Sequence, residues 1–501
     1  MLSAPRMPGF ASIAVCLVIL SLSVSTTRAH ETTANRAGFE PYTLQTFDGQ
    51  QVSAELGKLS VPEDRLKEST RKIEIAFVRL KSTATRPGDP IVWLAGGPGV
   101  PGSVFGRIPP YVQLFDKLRA VSDVILLDQR GTGLSTPNLE CKPSSMPADV
   151  FANHATWLRV FTRETKRCAD SWRRQGVNIA AYNNNASADD LEELRLALGA
   201  ERINLLGHSY GTALALTAIR RHPDHINRVV FAATEGTDNL LAMPDVWDFL
   251  IKKLGYFAAQ DPGVNKFAPD LEALYRRVVQ KLERAPIALT VMDATTKRPV
   301  QIRVGKIGLQ WLVRSSIYDA RFFTVLPALL STIDAGDYSI LTPRIETLFS
   351  NYLGRSPMAM TMDCSMGWSS ERFAQTSREA EHALFSNVNL QWSSNICKEF
   401  APASNRDLPP RLWSTLPALF ISGSLDANTP PFQAEEVRWG FPNSVHLVVE
   451  NGGHETLPGR EVQSVVADFF KGDDVSNRRV SFPRPKFLSI EEAKASNNRR
   501  R

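Results

Sequence analysis

The chain is poor in the side chains that build metal and redox centres. Its 501 residues include only five cysteines and eight histidines. No His/Cys/Asp group has the spacing of a metal site, so neither a metal nor any other cofactor is expected. An excess of one charge is also missing. The formal net charge is +6, but Arg6 and Arg28 supply two of these charges and residues 484–501 supply the other four. The body is therefore neutral, which excludes a broad basic surface for nucleic acid. Long apolar runs are scarce too. The stretch from about Ala11 to Val24 is too short to cross a bilayer comfortably. With Arg6 before it and the small residues Thr27 and Ala29 after it, it predicts an export signal over residues 1–29, cleaved after Ala29. An uncleaved anchor is the alternative. Cys16 lies inside this run without the small-residue context of a lipoprotein site. The expected location is periplasmic or secreted, with no stable membrane span after cleavage.

Export bears on the remaining cysteines, Cys141, Cys168, Cys364 and Cys397, because disulfides form outside the reducing cytosol. Three pairings are possible. Cys141 with Cys168 and Cys364 with Cys397 are the sequence-local ones, each closing a loop worth ~3 kcal/mol. Four buried thiols are the competing reading.

With 43% hydrophobic and 22% charged residues, the chain can bury a large core with an inserted subdomain. Val52–Val61 and Ile73–Leu80 read as a leading hairpin. Ile91–Leu94, Val121–Leu127, Ile203–Leu206, Arg228–Ala233, Leu416–Gly423 and Val445–Val449 are apolar runs that read as buried strands. The helix Leu191–Leu198, capped from Ser187 onward, leads into the third of these. Between 236 and 403 the alternation of strand and helix stops. Amphipathic helices take over, as at Leu271, Leu274, Tyr275, Val278, Val279 and Leu282, apart from a hairpin over Ile287–Val304. The boundaries expected are a signal at 1–29, a core at 30–235 and 404–475, a cap at 236–403 and a basic tail at 476–501.

The chemistry sits at strand ends. Gly207-His208-Ser209-Tyr210-Gly211 reads as a nucleophile elbow, a tight strand-to-helix corner that projects a serine hydroxyl above the sheet. G-x-S-x-G is weak by itself. It gains meaning from Asp426, past the strand at 416–423, and from His454 in Gly452-Gly453-His454, past the strand at 445–449. A serine needs a base, and the base needs a carboxylate to fix its tautomer. Ser209, His454 and Asp426 fill those roles in the chain order of an α/β-hydrolase. Ala95-Gly96-Gly97-Pro98-Gly99 offers backbone N–H groups to a developing oxyanion, with Gly97 as one donor and Tyr210 as the other. Asp128 and Arg130, in Asp128-Gln129-Arg130-Gly131-Thr132-Gly133-Leu134-Ser135, are expected to pair with each other or with backbone and brace the neighbouring loops. His208 is expected to point away from the nucleophile.

Taken together, these motifs resemble the proline iminopeptidase and tripeptidyl aminopeptidase group of α/β-hydrolases, over about residues 50–470. The segment around Asp426–His454 is similar to the TAP-like C-terminal region of secreted members. The resemblance implies a serine peptidase without metal that removes residues or short peptides from free N-termini. It also implies carboxylates that hold the substrate's amino group, for which Glu235 is the candidate. Ala95 stands where proline iminopeptidases usually have histidine, and Thr212 where their elbow often has a second glycine, which favours the tripeptidyl branch. An esterase or other acyl hydrolase on the same triad, and a non-catalytic binding protein of the same fold, are the alternatives. The partner expected is a peptide or other small acyl substrate.

Overall fold

The computed structural model describes residues 38–141, 144, 146–236, 238–294, 296–350, 357–389, 394–397, 400 and 411–498. The export signal expected over 1–29 lies outside these residues. Nine strands form one sheet: β1 Phe39–Gln45, β2 Gln51–Pro62, β3 Lys72–Leu80, β4 Ile91–Leu94, β5 Val124–Leu127, β6 Ile203–His208, β7 Ile226–Ala232, β10 Ala418–Gly423 and β11 Ser444–Val449. Their order is β1-β2-β3-β5-β4-β6-β7-β10-β11. The first three pair antiparallel, and β5 onward is parallel. A separate hairpin joins β8 Ile287–Met292 to β9 Pro299–Val304. This is the α/β-hydrolase arrangement the strand spacing predicts.

Both faces of the parallel strands are buried, which is why β4 (Ile-Val-Trp-Leu) and β5 (Val-Ile-Leu-Leu) are apolar throughout. Side chains alternate between two cores. Val92, Leu94, Ile125 and Leu127 enter one, and Ile91, Trp93, Val124 and Leu126 enter the other. The second core is closed by the helices Pro109–Arg119 and Arg460–Lys471. The first runs on without a break into the segment between β7 and β10, where Trp247, Tyr275, Leu326 and Met358 belong to the same cluster. That segment is helical apart from its hairpin, with helices including Pro244–Ala259, Leu271–Arg284, Ala320–Asp334 and Pro357–Met366.

One detail differs from the sequence reading. The helix before β6 is longer, Asn184–Leu198, and its cap is Asn183, whose side chain accepts from the Ala186 N–H. Ser187 is inside it. Within the segment expected as a basic tail, whose order the sequence leaves open, residues 490–498 form a helix, and Phe487 and Ala493 are buried in the first core. Cys141–Cys168 and Cys364–Cys397 are both disulfides, the sequence-local pairing. No helix among the described residues is long and apolar enough to cross a membrane.

Candidate active site

β6 ends at His208, and the helix Tyr210–Arg221 begins two residues later. Ser209 between them has φ 53° and ψ −125°, a conformation that costs a non-glycine residue about 1–3 kcal/mol and persists only where the surroundings enforce it. Three constraints do so. The Ser209 N–H donates to Ala232 O at 2.9 Å. A Cβ on Gly211 would sit 1.9 Å from Leu94 O, and one on Gly207 would sit 2.7 Å from Gly211 O. The corner closes only with glycine at both places.

The ends of β10 and β11 supply the partners. A Cβ on Gly423 would lie 2.1 Å from Gly453 O, so the two loops touch backbone to backbone and bring their polar residues together. His454 Nδ1 is 2.9 Å from Asp426 Oδ2. The same oxygen accepts the Thr429 hydroxyl at 2.6 Å, and Oδ1 accepts the N–H groups of Asn428 and Thr429 at 2.8 and 3.0 Å. Burial pushes the Asp426 carboxyl up, but His454 and Thr429 outweigh it and hold it below the usual carboxylate range. Burial pulls the His454 ring down, yet Asp426, with smaller help from Glu455 and Tyr318, lifts it to about 9. The Tyr318 ring meets His454 edge-on at 5.0 Å, and its hydroxyl bonds Asn428 Oδ1 at 3.1 Å. His208 lies beside His454 with ring centroids 5.2 Å apart. It stacks on Trp93.

The loop after β4 runs against the elbow: a Cβ on Gly96 would be 2.9 Å from Ser209 Cβ. Gly97 holds φ +116°, open to glycine alone at no steric cost. Tyr210 is the first residue of its helix, so its N–H has no intrahelical acceptor. Asp128 and Arg130 do brace these loops, though not through each other. The Asp128 carboxylate accepts Ser103 N–H, Ser103 Oγ–H and Leu134 N–H, each at 2.8 Å. Arg130 makes a two-pronged pair with Asp190 at 2.7 and 2.8 Å and also donates to Glu63 O and Ala181 O.

The inserted segment roofs this floor. Ala359 N is 3.3 Å from where a Gly99 Cβ would be, and Met358 Sδ 3.1 Å from a Gly131 Cβ. The same helix, 357–366, carries Asp363, which is fully buried. Glu235 sits just past β7, 9% exposed, and its N–H donates at 2.7 Å to the hydroxyl of Thr212. That hydroxyl lies 2.6 Å from Ser209 O, so Thr212, a departure from the family pattern, ties Glu235 to the elbow. Both carboxylates act on one group. Burial first, then Asp363 and Glu235, push the Tyr210 hydroxyl well above its ordinary range, and that hydroxyl bonds Asn184 Oδ1 at 2.5 Å. Sequence reasoning missed Asp363 and Thr429. The one signal for Asp363 is an acid set between Met358 and Met366 in an otherwise uncharged stretch, next to a pairing cysteine.

A strained serine, a buried His–Asp pair and a glycine loop at the ends of parallel strands of one sheet define a hydrolase class, and the chain belongs to the alpha/beta hydrolase fold family, whose model matches residues 89–459. Its relatives include tripeptidyl aminopeptidases and proline iminopeptidases. The tripeptidyl aminopeptidase of Streptomyces coelicolor is 22% identical over 432 residues, 80% of this chain and 77% of that protein. The proline iminopeptidase of Xylella fastidiosa is 27% identical over 179 residues, 32% of this chain and 41% of that protein. YuaR of Escherichia coli strain K12, named only as a hydrolase, is 25% identical over 450 residues, covering 82% and 84% of the two chains.

Proposed function

We propose that this protein is an exported serine aminopeptidase that releases N-terminal residues or short peptides through an acyl-enzyme. The observation that carries the reading is Ser209 on its strained corner together with the buried Asp426–His454 pair, whose imidazole packs on His208, the residue before the serine. Ser209 Oγ attacks the scissile carbonyl carbon as its proton passes to His454 Nε2, while Asp426 holds the imidazolium through Nδ1. The N–H groups of Gly97 and Tyr210 receive the oxyanion. His454 returns the proton to the leaving amine, and water, activated the same way, then frees the acyl group and restores Ser209. The inserted helices act as a cap. Under it, Glu235 and Asp363 are the carboxylates that anchor the substrate's ammonium group, because buried acids beside the elbow favour a cation there. The two disulfides fit export with cleavage after Ala29.

Two measurements test this. A fluorophosphonate labels the wild-type protein, and Ser209→Ala abolishes both the label and hydrolysis, a loss of several orders of magnitude in rate. A panel of aminoacyl and tripeptidyl amides beside simple esters then fixes the substrate. Cleavage requires a free amino group; turnover of esters alone, unaffected by blocking that group, assigns the site to an esterase. A well-folded protein that takes no label counts against any serine hydrolase and favours the binding-protein alternative.

A further inference from the structure

Three ligand-capable groups converge beside the elbow, although their sequence spacing shows no metal motif. His208, the last residue of β6, is 3% exposed, and its Nε2 has no hydrogen-bond partner among the described residues. Glu455 Oε2 lies 3.7 Å from that nitrogen. Zinc–ligand bonds of about 2.0–2.1 Å at tetrahedral angles put two ligands of one ion about 3.4 Å apart, so the pair is close to bridging distance. A ring nitrogen of His454 joins them, with all three ligand atoms within 4.8 Å of one another.

The groups behind these three are those of a zinc site. Asp426 occupies His454 Nδ1, which leaves Nε2 for an ion in the carboxylate–histidine–metal pattern. The Tyr111 hydroxyl donates to the Glu455 carboxylate, and Trp93 stacks on His208. Glu455 is 37% exposed, giving the ion an entry and the cluster one adjustable arm. The contrast is the surface group Glu192, His222 and His225, equally close in space. There Arg195 already pairs with Glu192, and Arg221 with Asp189, the residue that bonds His222. An ion would have to displace guanidinium groups.

We infer that His208, His454 and Glu455 form a site for a divalent transition metal, Zn2+ foremost, and that its occupation inhibits hydrolysis by taking the nitrogen that must accept the serine proton. Binding stands independently of the proposed function; the inhibitory half rests on it. The test uses chelator-treated protein carrying Ser209→Ala, to remove turnover, and His225→Gln, to disable the surface group, titrated with ZnCl2 by calorimetry. The expected result is one Zn2+ per chain with micromolar or tighter affinity. His208→Gln and Glu455→Gln should each weaken it by about tenfold or more, as loss of a ligand or its support does. Near-ultraviolet circular dichroism checks that each variant is folded, and Glu455→Gln on its part-exposed loop carries the test should His208→Gln not fold. Binding that neither substitution weakens, or no binding up to millimolar Zn2+, overturns the site. In protein with Ser209 intact, hydrolysis should fall over the same Zn2+ range and return with chelator. Full activity of the Zn2+-loaded protein overturns the inhibition and leaves the site. Zn2+ binding as expected in a protein that hydrolyses nothing overturns the proposed function alone.

Discussion

The triad candidates differ in how they are held, and this makes Thr429 consequential. Ser209 is fixed by backbone, through two glycines and one N–H bond. Asp426 is fixed by hydrogen bonds, of which the Thr429 hydroxyl gives the shortest, 2.6 Å, to the same oxygen that faces His454. A hydrogen bond to a charged group is worth about 1.5–3 kcal/mol. Thr429→Val keeps the shape and removes the donor, so kcat should fall by about 10- to 100-fold with KM little changed. Steady-state kinetics on the best peptide substrate check it; an unchanged kcat removes Thr429 from the support of the pair. Ser209, Asp426 and His454 were legible in the sequence because each follows an apolar strand at a glycine-marked loop. Thr429 was not. Its role depends on a turn that brings the Thr429 hydroxyl back onto the carboxylate of Asp426, three residues earlier. Glu455 and His208 come within 3.7 Å of each other only once the ends of β6 and β11, with β7 and β10 between them, lie on one sheet edge, which no local pattern encodes.

At the scale of elements, the parallel strands were legible from continuous apolar runs, whereas β1 was missed. It is the edge of the sheet, largely exposed, and its residues Phe39–Gln45 lack a clean alternation. The roof was the least legible part. Amphipathic periodicity located helices between 236 and 403 but could not say which helix lies over the serine. In the structure helix 357–366 lies against the loops of Gly99 and Gly131 beside the elbow, and the disulfide Cys364–Cys397 sits one residue from Asp363. Closing a loop of this length stabilises by about 3 kcal/mol where the folded geometry is unstrained. Replacing both cysteines by serine should therefore lower the melting temperature and loosen the helix that carries Asp363. Scanning calorimetry reads the first effect. For the second, kcat/KM on a peptide with a free amino group should fall by more than kcat/KM on a small ester, which needs no ammonium anchor. Equal losses on the two substrates would separate the disulfide from amine recognition.

Across the whole molecule, the C-terminal segment joins the loop that carries His454 to the inserted helices. Val480 O and Phe482 N bond Glu450, and Asn451 donates to Phe482 O. Arg484 then lies over the Phe257 ring of helix 244–259, and Leu488 N–H donates to Thr324 O of helix 320–334. Lys494 pairs with Asp337 at 2.6 Å just beyond that helix. Helix 320–334 begins two residues after Tyr318, which rests on His454. The segment thus straps the roof to the base. Removing residues 484–501 would take away the buried Phe487 and uncover the core surface it packs on, a loss of about 2–3 kcal/mol of apolar burial. The melting temperature should drop measurably. Acid should do the same reversibly. The Lys494 ammonium and the Ser339 N–H hold the Asp337 carboxyl at about 2, below its ordinary 3.8. Its folded-state value is depressed, so the docking it supports is complete above the unfolded value and is lost as pH falls from about 4 through about 2. Tryptic cleavage needs neutral pH, so pepsin is the probe, compared between wild type and Asp337→Asn across that window. Wild type should release a fragment from near residue 490 only toward pH 2, whereas Asp337→Asn should release it already at pH 4. Identical profiles would mean that the apolar contacts of Phe487 and Ala493 hold the strap without the ion pair.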